Sequence, residues 1–354
     1  MKKIIIEMSQ IMNLKLTLTN LEREFPHIPK LVRADFIHFP KSENLISVRF
    51  PRLIFDSRLN KQTFQTNPYN TIYRYGCMFI ETVAELHDAN LDLLRKFDRF
   101  CSENGVKYFI TFGTLLGAVR HGDIIPWDDD IDVTMLRFDY ERLASIPKES
   151  YPEGCELIIP GQDGSFCGFT PMFKDNGYTG KMIKGSDMDD GSGIGRVGMD
   201  IFVLDPSYIG LRHKLLTVRQ YLLYAEARAH RPVEKPLDLK GFGKIAIPVV
   251  KVFQFIGKRK PLDRIMAKYW RISLNLKTDG TKLYSPCNIP NELGQEYDSE
   301  WFEDSTELML DDFACPAPKG YIRLLETMFG DYMQLPPEDK RFPEHFVLKE
   351  FQDQ

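Results

Sequence analysis

The sequence predicts an α+β fold, a mixed β-sheet core flanked by helices, with additional helices toward the C-terminus. Three observations carry this reading. Helical and strand patterns alternate closely between residues 78 and 136. A strongly apolar run, GMDIFVLDP, stands at 198–206 and reads as a buried strand. Helical patterns then dominate from 213 to 333.

Each element has its own signal. Residues 78–103 place Leu86, Leu91, Leu94, Phe97 and Phe100 on one face of an amphipathic helix. Asn104-Gly105 ends it, because both residues tolerate the left-handed cap. VKYFITFG is a short β-rich run, TLLGAVRHG a short helix closed by Gly122, and IDVTML a second strand. The strand at 198–206 stops at Asp-Pro. Residues 213–230 and 263–277 are helical, and 318–333 is a helix that Gly330 ends. LPPEDKRFPEH follows as irregular chain. Residues 1–75, rich in Pro, Phe and charge, read as an extra N-terminal layer of unknown role.

The bulk composition limits the function. Hydrophobic residues make up 43% and charged residues 27% of the 354, the balance of a soluble globular protein. A net charge of −4 argues against a dedicated nucleic-acid binder. Ile4-Ile5-Ile6 is stopped by Glu7 with no small-residue cleavage site after it, so no signal peptide is expected. No run reaches the roughly 18 apolar residues of a membrane span, and a cytoplasmic protein is expected. The six cysteines form no CxxC pair and no zinc spacing, and are expected as reduced, mostly buried thiols.

The densest chemistry is HGDIIPWDDDIDV, where Asp128, Asp129, Asp130 and Asp132 crowd together. Strand residues i and i+2 share a face, so Asp130 and Asp132 point one way and Ile131 and Val133 into the core. Paired carboxylates raise each other's pKa unless a cation neutralises them, and a hard divalent ion such as Mg²⁺ or Mn²⁺ suits oxygen ligands. A solvated acidic turn is the plain alternative, but it has no need of Ile131 and Val133. An EF-hand loop fails, because Val133 stands where the turn needs Gly and Asp139 where a Glu belongs. Asp200, in the apolar strand, is either a third metal ligand or one half of a salt bridge to Arg196. Gly113-Thr114 opens a helix after a strand and offers N–H groups to a phosphate.

The order strand, Gly-Thr, helix, Asp-x-Asp, then a later Asp-bearing strand resembles the nucleotidyltransferase superfamily. FGTLLGAVRHGDIIPWDDDIDV resembles, more specifically, the signature of the LicD family, which includes the fukutin-related proteins. GMDIFVLD is similar to that family's second acidic strand, with Val203 in place of a proline. CPAPKGYIRLLETMFGDYMQLPPEDKR, followed by His345, is similar to its C-terminal signature, so the likeness runs from 76 to 345. The resemblance implies a nucleotidyltransferase-like fold. Residues 76–210 would be the catalytic core, and 211–354 a helical C-terminal part of the same domain. It also implies phosphoryl transfer from a CDP-linked donor, of phosphocholine or an alditol phosphate, to a glycan or lipid-linked glycan acceptor, with release of CMP.

Under this resemblance Asp130, Asp132 and Asp200 match the metal carboxylates, and Gly113 and Thr114 the nucleotide-phosphate turn. Asp128 is either the general base or a capping, structural residue. Arg120 and Lys174 are either donor-phosphate contacts or ordinary surface cations. Trp127 either stacks on the substrate or packs in the core, and His121 is either a site residue or a turn residue before Gly122. Residues 240–260, apolar with lysines at both ends, read as a buried helix, with peripheral membrane contact as the alternative. Two rival functions are an NTP-dependent nucleotidyltransferase and an inactive glycan- or nucleotide-binding module.

Overall fold

The computed structural model describes residues 77–161, 166, 168–184, 186, 191–207, 210–232, 247–274, 280–287 and 293–352. The N-terminal layer expected from residues 1–75 lies outside them. The chain enters as a short strand, β1 (Met78–Ile80), where the sequence pattern predicts helix. Thr82 then starts helix α1 (Val83–Asn104) with a capping box, in which its side chain accepts from Glu85 N–H and Glu85 caps in return. That reciprocal cap, not the apolar periodicity, sets the boundary. Gly105 ends the helix in the left-handed conformation, as predicted.

Next come β2 (Phe109–Ile110), α2 (Phe112–Arg120), β3 (Ile131–Leu136) and α3 (Arg137–Ser145). The order matches the sequence reading. Strands β4 (Cys155–Ile158) and β5 (Met172–Lys181) follow, and neither is visible as an apolar alternation. β5 holds Asp175, Asn176 and Gly177, and its register against its neighbour shifts there. β6 (Ile194–Pro206) is thirteen residues long and extends the predicted strand upstream.

The sheet runs β1-β5-β6-β3-β2. β6 pairs in parallel with β3 and antiparallel with β5. One face of the sheet is a dry core. Ile131, Val133 and Met135 on β3, and Met199, Ile201 and Val203 on β6, are fully buried there. Phe97 of α1 packs on Phe173 of β5, with ring centroids 5.0 Å apart. The alternate residues, Asp132 and Asp200 among them, face the other way.

Beyond residue 210 come α4 (Leu211–Ala227), α5 (Ile247–Gly257) and α6 (Leu262–Leu274). β7 (Lys282–Tyr284) pairs with the end of β6, and β8 (Tyr297–Asp298) with β7. The hairpin of β9 (Ser305–Leu310) and β10 (Phe313–Pro318) leads into α7 (Tyr321–Phe329), which Gly330 ends as predicted. The buried helix expected at 240–260 is not what forms. Residues 240–246 lie outside the described set, and within α5 only Gly257 is buried. Pro248 sits in the first turn of α5, where a missing N–H costs nothing. Among the described residues no helix is long and apolar enough to cross a membrane. Five cysteines are described as free thiols, three of them buried, and Cys167 lies outside the described set.

Candidate active site

Strand register builds the site. Asp132 of β3 lies directly across from Asp200 of β6. Asp130 closes the group from the turn just before β3. One carboxylate oxygen from each of the three falls within 4.8 Å of the others. Arg196, the alternative partner for Asp200, turns instead to Glu156 and Asn176.

Helix α2 is tied to this corner at its N-terminus. Asp132 N–H donates to the Thr114 hydroxyl at 2.8 Å, and Gly113 N–H donates to the Asp132 carboxylate at 3.3 Å. Thr114 is buried. Asp128 packs over Gly113, and a Cβ there would come within 2.3 Å of its Oδ2, so only glycine fits. Before it, Phe112 holds φ of +42°, a left-handed conformation costly for an aromatic residue. Such strain gathers at sites where the surroundings over-determine the backbone.

The C-terminal segment closes the other side. The backbone N–H groups of Glu344, His345 and Phe346 all donate to the buried Asp129 carboxylate, at 3.2, 2.7 and 2.7 Å. Asp129 therefore clamps this segment beside β5, where Met182 bridges to Phe346. The clamp sets His345 Nε2 3.1 Å from Asp130 Oδ2, while His345 Nδ1 is buried with no hydrogen-bond partner among the described residues.

The electrostatics follow from crowding. Burial is the largest cause that lifts the Asp128 and Asp132 carboxyls well above the usual carboxylate range, and repulsion from Asp130 comes next. Asp128 and Asp200 push Asp132 further, and the Gly113 N–H pulls it back. Burial also raises Asp129, against the opposing effect of His345 and the clamping N–H groups. For His345, burial acts downward, but the hydrogen bond to Asp130 and the charges of Asp130, Asp129 and Asp200 lift it to about 10.

The other sequence-predicted residues are placed as follows. Arg120 donates to the Tyr332 and Gln334 carbonyls at 3.1 and 3.4 Å, so it pins the C-terminal segment. Burial and the nearby Arg341 lower its pKa, and Asp128 opposes them. Trp127 packs against the core and carries the Arg341 guanidinium 5.4 Å from its ring centre. His121 caps α2 and meets Trp127 edge-on, with its pKa lowered by burial and Arg120. Lys174 lies on β5 opposite Gly198, two pairs along from Met172, which faces Asp200. Gly198 leaves room for the Lys174 stem, since a Cβ there would meet Lys174 Cγ at 2.9 Å. The sequence reading gave no role to Asp129, His345 or Arg341, although the last two lie in the stretch that carried the C-terminal likeness.

The residues fit a hard divalent cation. Three carboxylates converge, and all three donor atoms are oxygens. Asp129, Asp130 and His345 also bring ligand-type atoms within 4.8 Å of one another, but the Asp129 oxygens already accept three N–H groups.

A family model described as LicD/FKTN/FKRP, nucleotidyltransferase domain, matches residues 105–156, the stretch that contains α2, Asp130 and Asp132 but not Asp200. The lipopolysaccharide cholinephosphotransferase LicD of Haemophilus influenzae is 28% identical over 287 residues, covering 75% of this chain and 96% of that protein. The chain is therefore similar to the LicD family, closely within the segment that the family model matches and more distantly along most of its length. Its α+β sheet is the nucleotidyltransferase-like fold of that family, as the sequence predicts. The human and mouse ribitol 5-phosphate transferase FKRP are each 66% identical over 29 residues, only 8% of this chain and 6% of theirs. The likeness to FKRP is thus confined to a short segment, whereas that to the bacterial LicD protein runs along most of both chains.

Proposed function

We propose that this protein is a metal-dependent phosphotransferase of the LicD type. It moves phosphocholine or an alditol phosphate from a CDP-linked donor to a glycan or lipid-linked glycan hydroxyl and releases CMP. The observation that carries the reading is the convergence of Asp130, Asp132 and Asp200 beside the Gly113-Thr114 turn. The named activities of the bacterial LicD protein and of FKRP support the class of transferred group.

Asp130, Asp132 and Asp200 would hold Mg²⁺ or Mn²⁺. The chemistry supplied by an ion held there would be stabilisation of the negative charge that develops in an in-line displacement on the donor diphosphate. Asp128 takes the proton of the acceptor hydroxyl, and burial and the neighbouring Asp130 raise its affinity for a proton. The acceptor oxygen bonds to the phosphorus bearing the substituent, and the bond from that phosphorus to the CMP oxygen breaks. The first turn of α2 presents its positive end to the donor phosphates. Lys174, on the face that carries Asp200, is the candidate phosphate cation. Arg120 acts through the segment it pins, and His345 orients Asp130.

A thermal-shift panel tests this: CDP-choline, CDP-ribitol, CDP-glycerol, CDP and CTP, each with Mg²⁺ and with EDTA. A ligand that binds only the native state raises the midpoint. The expected result is a Mg²⁺-dependent shift with one CDP conjugate that exceeds the shift with CDP, and CMP as the product. A shift with CTP alone and release of pyrophosphate would establish the nucleotidyltransferase reading instead.

A further inference from the structure

Helices α4 and α5 leave apolar faces in solvent. α4 buries Thr217, Gln220, Leu223 and Tyr224 and exposes Leu211, Leu215 and Val218, by 72%, 64% and 55%. These three recur at i, i+4 and i+7, which is one stripe of a helix. α5 lies against α4. Its Gly257 meets the Glu226 carbonyl so closely that a Cβ would come within 2.1 Å. α5 exposes Val249, Val252 and Phe255, by 48%, 56% and 59%.

The charges around these stripes have one sign. Residues 207–225 and 247–262 contain no Asp or Glu, in a chain whose net charge is −4. They contain Arg212, Lys214, Arg219, Lys251, Lys258, Arg259 and Lys260. Lys260 is engaged by Glu226, and the other six are exposed. Helical spacing puts Arg212 and Arg219 on one flank of the α4 stripe and Lys214 on the other. Lys251 and Lys258 flank the stripe of α5. Arg259 lies 3.7 Å over the exposed Phe255 ring, an aromatic–cation pair in solvent.

This chemistry selects the occupant. Apolar residues edged by Lys and Arg are the pattern of a helix lying in a lipid interface. The cores of protein interfaces are depleted in lysine. A two-fold contact between copies of this chain would place the same cations against each other. We propose that α4 and α5 form a docking face that seats the protein on an anionic membrane. The apolar side chains enter the acyl boundary and the cations meet lipid phosphates. The inference does not depend on the transferase reading.

The test is sedimentation of the full chain with vesicles of phosphatidylcholine alone and of phosphatidylcholine with about one quarter phosphatidylglycerol. Binding to the anionic vesicles only is expected. Lys251→Gln/Lys258→Gln should lower the partition coefficient by roughly 30-fold, and Leu215→Glu/Val252→Glu should abolish binding. All four positions are exposed, and circular dichroism verifies the fold of each variant. Failure of the wild type to bind, or binding that survives both variants, overturns the proposal. So does self-association by light scattering that Leu215→Glu/Val252→Glu breaks while the wild type ignores vesicles.

Discussion

Strand β6 carries two aspartates, Asp205 buried and Asp200 half-buried, with opposite solutions to the same problem. Asp205 is 1% exposed and receives Arg137 in a bidentate pair, Nε to Oδ1 at 2.7 Å and Nη2 to Oδ2 at 2.8 Å. Arg137 is itself held over the Trp270 ring, 5.1 Å from its centre. Asp200, nearer the start of the strand, meets the carboxylates of Asp132 and Asp130. A carboxylate matched by its own guanidinium locks the fold. Carboxylates brought against one another form an acidic cluster whose mutual repulsion a bound cation would relieve.

The comparison predicts a double dissociation. Asp130→Ala, Asp132→Ala and Asp200→Asn should each lower turnover by about 10³-fold or more, because charge stabilisation in the transition state is lost. The same variants should keep the wild-type circular dichroism, and Asp132→Asn should raise the melting point in EDTA by removing a repelled charge. Arg137→Ala should do the converse. It strands a buried carboxylate, and breaking such a pair costs about 3–5 kcal/mol. Denaturant titration beside activity at low temperature reads both. Wild-type turnover in Asp132→Ala would sink the metal assignment.

The two regions were not equally legible in the sequence. Asp130, Asp132 and Asp200 could be placed because strand alternation is a strict rule, and Ile131 and Val133 fix which face is the core. The register that sets Asp132 across from Asp200 is a tertiary fact, and only the likeness to a family suggested it. Asp129 was invisible as a clamp, because its partners are backbone N–H groups more than two hundred residues away. β5 was missed because Asp175, Asn176 and Gly177 break its apolar pattern, and pairing on both sides compensates. α5 misled for a different reason. Apolar composition reads as burial only when no other surface is available to cover it.

The acidic region should also show itself through pH and metal. Asp128 and Asp132 have folded pKa values raised above the ordinary carboxylate value. Their contribution to stability is therefore present at low pH and lost as pH rises through the folded values. His345, lifted from 6.5 to about 10, has the same sign, and its contribution declines across that interval. The metal-free protein should accordingly lose melting temperature between weakly acidic and alkaline pH. Mg²⁺ at a hundred times its dissociation constant adds about 2.7 kcal/mol. Because protons compete for the same carboxylates, the Mg²⁺-induced shift should grow as pH rises. A shift that shrinks with rising pH would contradict the assignment.

Asp129 sharpens the comparison at the smallest scale, since it sits within the acidic run yet belongs, by its bonds, with Asp205. Three N–H groups meet its carboxylate, and a hydrogen bond to a charged group contributes about 1.5–3 kcal/mol. Asp129→Asn keeps one oxygen and the shape, so a loss of about 1–2 kcal/mol is expected, with the C-terminal segment loosened. The Mg²⁺-induced thermal shift should persist in this variant and vanish in Asp130→Asn. Turnover should fall only modestly, through the looser hold of His345 on Asp130. If Asp129→Asn abolishes the Mg²⁺ shift while Asp130→Asn spares it, Asp129 is a ligand and the ion lies on the His345 side of the cluster.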